Sequence, residues 1–132
     1  MRSFDAQRPR SAPSSMRGTS LSGEPVAKPF RGLTLVVAIK PECDGCRDFV
    51  ESALNEFRDL DVVLVASRDE MNDEWRHARH EIIVAPDFLV ELDVRWPPFY
   101  VLLDATTRRV LVEGVVFGPA QVAEEIRPYV TP

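Results

Sequence analysis

The sequence predicts an α/β fold in which helices flank a central mixed sheet. Three observations predict it. A nearly continuous apolar block at residues 33–39 is followed by an amphipathic helix and by a second block at 61–66, the pattern of a β-α-β unit. Residues 99–103 and 109–113, separated by the turn Asp104-Ala105-Thr106-Thr107, read as an antiparallel hairpin. An apolar stripe after Pro119 then supplies a closing helix.

The 132 residues leave room for one domain, and 45% hydrophobic with 28% charged residues is an ordinary globular composition. Charge divides the chain. Residues 1–32 hold six basic and two acidic residues (net +4), whereas 33–132 hold ten basic and nineteen acidic (net −9). So acidic a domain repels phosphate backbones, which excludes nucleic acid as the expected partner. Residues 1–31 are rich in Ser, Pro, Arg and Gly without an apolar period, and are expected to be a disordered or loosely packed leader. The folded domain is expected over 32–132. No apolar run reaches membrane-spanning length, so no membrane insertion is expected, and no signal-peptide stretch follows Met1. As written, the chain reads as cytoplasmic.

Residues 33–39 contain β-branched side chains in unbroken sequence, which suits a strand covered on both faces, and Lys40-Pro41 ends it. Apolar positions Cys46, Phe49, Val50, Ala53, Leu54 and Phe57 share one stripe of a helix that begins near Cys43. Residues 61–66 form the next buried strand, parallel to the first and reached by a right-handed crossover. Residues 67–81 are polar and contain both histidines; loop and surface helix both fit. Ile82-Ile83-Val84 is a short strand and residues 87–92 a helical turn. Trp96-Pro97-Pro98 precedes the hairpin, and Val122, Ile126, Tyr129 and Val130 mark the inner face of the last helix.

The chemistry rests on Cys43-Asp44-Gly45-Cys46. The thiolate, not the thiol, is the nucleophile, and a helix N-terminus favours negative charge through its unpaired N–H groups. Cys43 stands at that end. Cys46 lies one turn on, within disulfide reach and on the apolar stripe. One sulfur is thus exposed and activated, the other shielded and placed to resolve a mixed disulfide, the asymmetry that thiol–disulfide exchange needs. A structural disulfide closing so short a loop would constrain little of the unfolded chain. Zinc held by Cys43, Cys46, His77 and His80 is the alternative, although the histidine spacing is tighter than usual and no second CxxC is present.

Pro41-Glu42-Cys43-Asp44-Gly45-Cys46-Arg47 resembles the active-site stretch of thioredoxin-like proteins, most closely TlpA-like and MauD-like thiol–disulfide oxidoreductases. The stretch from Val94 through Trp96-Pro97-Pro98 to Asp104 is similar to that family's V-x-x-x-P-T-x-x-L-I-D segment. The resemblance covers about residues 33–130. It implies a thioredoxin-like fold, a redox-active disulfide Cys43–Cys46 with no further cofactor, and a cis-proline at Pro98 beside it. It also implies that Pro98 and Pro97 help to dock extended substrates; Trp96 is read as core or rim packing, close enough to this stretch to contact a substrate. The expected partners are protein thiols and disulfides with an unidentified electron donor. Related groups are exported or membrane-tethered, which would put the true start upstream of Met1.

The chain departs from the family at three places. Glu42 replaces the tryptophan before the first cysteine. Val37 occupies the position of the buried carboxylate that accepts a proton in thioredoxin. Pro97, before the cis-proline, has no N–H for a substrate strand. Glu42 and Asp44 oppose the helix dipole at Cys43, so the pair is expected to act as reductant or electron carrier more than strong oxidase. The second functional reading is a thioredoxin-fold binding, maturation or adaptor module with little turnover, its cysteines holding zinc. Glu70, Asp73, Glu74, His77, His80 and Glu81 are read as a solvated face, and Trp75 as packing. Gly114 is expected to relieve a close backbone approach.

Overall fold

The computed structural model describes residues 10–68, 75 and 77–130. Seven strands make one sheet: β1 (Ser15–Ser20), β2 (Pro25–Pro29), β3 (Leu33–Ile39), β4 (Asp61–Ala66), β5 (Ile82–Val84), β6 (Phe99–Asp104) and β7 (Arg109–Val115). Their order across the sheet is β2-β1-β5-β4-β3-β6-β7. The helices are α1 (Asp44–Glu51), α2 (Pro86–Glu91) and α3 (Pro119–Val130). β3 pairs parallel with β4 and antiparallel with β6, so the expected β-α-β unit and hairpin meet at the sheet's centre.

Side chains of β3 alternate between two cores, as the two-residue period of a strand requires. Leu35, Val37 and Ile39 face α1 and α3, where they join Phe49, Val122 and Ile126. Val36 and Ala38 face the other way, toward Phe88 and Leu89 of α2. Burial on both faces explains why β3 and β4 read as unbroken apolar blocks.

From residue 10 onward the second core corrects the expected leader, whose residues 1–9 lie outside the described residues. Its cover includes Ala12, Met16 and Phe30, all from residues assigned to a loosely packed segment. Ala12 donates its N–H to the Arg108 carbonyl and Val110 donates to that of Arg10, so residues 10–12 run along β7. The chain then crosses the face and pairs β1 with β5 beyond the far side. Ser20 and Glu24 close the β1–β2 hairpin, with the Ser20 N–H donating to the Glu24 carbonyl at 2.8 Å. The Arg10 guanidinium anchors the crossing by donating to Glu113 and to the Leu92 carbonyl. Main-chain pairing with distant strands, not an apolar period, orders this segment. Composition is blind to it.

α1 is shorter than its stripe predicts. It stops at Glu51, Ser52 turns extended, and Leu54 adopts a left-handed conformation (φ 56°) before a 3-10 turn at Asn55–Phe57. Phe49 nonetheless stacks on Phe57 with centroids 5.6 Å apart, so the apolar stripe survives the break. The carbonyls released at the helix end find donors on the segment after Trp75: the Arg79 N–H reaches Val50 at 2.9 Å and His80 Nε2 reaches Ser52 at 2.7 Å. Trp75 is buried in the first core, as expected of a packing residue. α3 forms as expected from Pro119, with Val122 and Ile126 buried, but Tyr129 lies on its exposed side. Gly114 relieves a close approach by the Tyr100 ring, 3.1 Å from where a Cβ would stand, and not by a backbone.

Candidate active site

Ala38 of β3 stands opposite Phe99 of β6, which stands opposite Val115 of β7. That register brings three chain exits to one end of the sheet: residues 40–43 after β3, residues 96–98 before β6, and residues 116–118 after β7. The two cysteines lie at this end.

Cys43 is the N-cap residue of α1, with extended backbone (φ −133°, ψ 114°). Its sulfur takes the place that a Ser or Asp oxygen usually fills, accepting the Cys46 N–H at 3.2 Å. The Cys46 thiol points at the same atom, its sulfur 2.6 Å away. Both the Cys46 N–H and the Cys46 sulfur therefore approach Cys43 Sγ. Cys43 is half-buried, Cys46 is buried, and both are free cysteines. Burial pushes the Cys46 thiol up to about 12; the hydrogen bond to Cys43 adds to this, and a main-chain hydrogen bond from Lys40 opposes it. Val37 packs in the same core as Cys46, so an aliphatic side chain stands where the family resemblance would put a carboxylate.

Asp44 is almost fully exposed and pairs with Arg47 at 3.5 Å, one turn along α1. Water screens such a pair strongly. The Pro97–Pro98 peptide bond is cis. The Pro98 carbonyl accepts the Val116 N–H at 3.2 Å, which ties the proline segment to the residues after β7. Trp96 is 74% exposed and lies, with Asp93, Arg95 and Phe99, around a shallow cavity of about 200 Å³.

Sequence reasoning missed the residues after β7. Gly45, between the cysteines, is pressed against them: a Cβ there would come within 2.7 Å of the Phe117 carbonyl oxygen. Gln121, in the first turn of α3, reaches back to this segment. Its Oε1 accepts the N–H groups of Phe117 (2.7 Å) and Gly118 (3.3 Å), and its Nε2 donates to the Val115 carbonyl (2.9 Å). The Phe117 side chain projects outward, 76% exposed. A Gln three residues after Gly118 at the head of a helix is the one local signal, and it says nothing of the dithiol.

The alternative metal set does not assemble. His80 Nε2 is engaged with the Ser52 carbonyl, His77 is exposed, and among the described residues no three His, Cys, Asp or Glu side chains are grouped to hold an ion. Glu70, Asp73 and Glu74 of the polar segment lie outside the described residues.

No family model and no curated protein matches the chain. Solved structures do. The thioredoxin domain of a thiol-disulfide oxidoreductase from Bacteroides vulgatus aligns over 92% of this chain and 96% of its own, at 17% identity and a TM-score of 0.66. A thiol:disulfide interchange protein of the thioredoxin family from Chlorobium tepidum aligns over 93% and 97%, at 15% identity and 0.58. The exposed lipoprotein thioredoxin of Streptococcus pneumoniae aligns over 84% and 98%, at 16% identity and 0.58. The fold expected from the sequence is therefore the fold observed, a thioredoxin-like mixed sheet flanked by helices.

Proposed function

We propose that this thioredoxin-like chain is a thiol–disulfide oxidoreductase that exchanges disulfides with protein partners through Cys43 and Cys46. One observation carries the reading: the N-cap sulfur of Cys43 is half-exposed and accepts the Cys46 N–H, while the buried Cys46 sulfur sits behind it within disulfide reach. A structural pair needs no such asymmetry.

In the reducing direction, the Cys43 thiolate attacks one sulfur of a partner disulfide. A mixed disulfide forms, and the other partner sulfur leaves as thiolate. Cys46 then gives up its proton and attacks Cys43 Sγ. The Cys43–Cys46 bond forms, the second partner sulfur leaves, and two electrons have passed to the partner. With Val37 at the aliphatic position beside Cys46, the departing partner thiolate is the proton acceptor at hand. A dithiol donor reverses the sequence to restore the pair. A well-stabilised thiolate makes a strong oxidant, because it favours the reduced form. Glu42 and Asp44 set negative charge beside Cys43, which favours the disulfide over the dithiol and supports a reductant or electron carrier. Among the described residues no helix is long and apolar enough to cross a membrane.

Trapping tests the order of attack. Cys46→Ser should accumulate mixed disulfides through Cys43, because nothing resolves them, and Cys43→Ser should accumulate almost none. Insulin reduction with dithiothreitol and zinc content by mass spectrometry complete the test. One equivalent of zinc with no reduction would replace this reading by that of a binding module.

A further inference from the structure

Two large aromatic side chains, Phe117 and Trp96, stand in solvent at the end of the sheet that carries the dithiol. An exposed aromatic on a free-moving loop costs a partner ordering entropy, so how each is held decides what it can do. Phe117 is held from two sides. Behind it, the three hydrogen bonds of the Gln121 amide fix the main chain at Val115, Phe117 and Gly118. In front, its carbonyl oxygen and carbon rest against Gly45, where any side chain would collide at 2.7 and 2.8 Å. The main chain that carries the ring is thus fixed beside Gly45, one of the two residues between the cysteines. Trp96 leaves the adjoining strand end, tied to the same segment through the Pro98 carbonyl and Val116 N–H.

We infer that Phe117 selects the polypeptide presented to Cys43, favouring a large apolar residue beside the partner's cysteine, and that Gln121 is the positioning residue that holds it there. The inference rests on the oxidoreductase reading and names its substrate class. Pro97 has no N–H to pair with an arriving strand, so the main chain offers one bond fewer there and recognition leans further on side-chain contacts. Charge narrows the class further. Glu42, Asp44 and Asp48 outnumber Lys40 and Arg47 around the first turn of α1, so an acidic segment is repelled. The occupant is an extended, non-acidic segment with an apolar side chain next to its cysteine.

Two disulfide peptides, alike except for Leu or Gly on either side of the cysteine, provide the test, with dithiothreitol as donor. Wild type should reduce the Leu peptide with a kcat/KM about tenfold higher, the difference lying in KM, as expected for burying part of a leucine side chain. Phe117→Ser should bring that preference below about threefold. Gln121→Leu, which removes all three hydrogen bonds, should do the same, and Gln121→Glu, which keeps the acceptor, should recover part of it. Tyr129→Ser, an exposed aromatic lost from the far end of α3, should retain the full preference. Equal turnover of both peptides by wild type, or an unchanged preference in folded Phe117→Ser, overturns the inference and leaves the oxidoreductase reading standing. No turnover of either peptide overturns both.

Discussion

Cys43 caps a helix and Cys46 lies in the core, and that difference in surroundings has a consequence for stability as well as for chemistry. Burial raises the folded-state value of the Cys46 thiol from about 9.0 to about 12. A group whose value is raised by folding contributes stability that is complete below the unfolded value and is lost as pH climbs toward the folded one. Reduced protein should therefore lose stability above about pH 9, on the order of 2 kcal/mol by pH 11. Tyr100 pushes in the same direction, because burial and its bond to Glu125 raise it too. Cys46→Ala separates the two. Melting temperatures of the reduced proteins across this range should fall more steeply for wild type than for Cys46→Ala. Parallel curves would mean that Cys46 is not shielded as described. Of the site residues, the cysteines and prolines were legible because their spacing is local. Gln121 and the tight seat of Gly45 were not, since their partners come from other parts of the chain.

At the scale of elements, β3, β4, β6 and α3 were readable because each carries its own period: unbroken where both faces are buried, stripe-like where one is. α1 shows where a period misleads. Its stripe continues to Phe57 although the helix does not, because Leu54 reverses the chain and Phe57 returns to stack on Phe49. A stripe records which side chains are buried, not the backbone between them. α3 is fastened to β6 by a bond no pattern reveals, the Tyr100 hydroxyl donating to Glu125 at 2.7 Å. That bond, and after it one from Gln121, holds the Glu125 carboxyl below its ordinary value of 4.5. A lowered carboxyl contributes stability above the unfolded value and loses it as pH falls through the folded one. Tyr100→Phe should therefore be less stable than wild type at neutral pH, and the gap in urea midpoints should shrink as pH drops below about 4.5. A gap constant with pH would assign the tyrosine to packing alone.

The whole molecule is closed by a segment that composition alone assigns to solvent. Residues 10–12 lie along β7, Met16 and Phe30 plug the second core, and β1 extends the sheet past β5. Without them, among the described residues one sheet face would keep only α2 as cover, and both β5 and β7 would become bare edges, which invite pairing with other chains. Returning Met16 and Phe30 to water costs about 1.5–3 kcal/mol each. That is a large share of the roughly 5–15 kcal/mol by which a domain is stable. Deleting residues 1–31 should therefore lower the melting temperature by more than about 10 °C, or leave a chain that self-associates. The dithiol itself belongs to the opposite face, with α1 and α3, so the damage should appear first in stability and only through it in exchange activity. Phe30→Ser makes the same point with one side chain: a fall of several degrees in melting temperature, with trapping through Cys43 preserved below that temperature. A deletion variant that melts within a few degrees of wild type would show that α2 alone suffices to cover the second core.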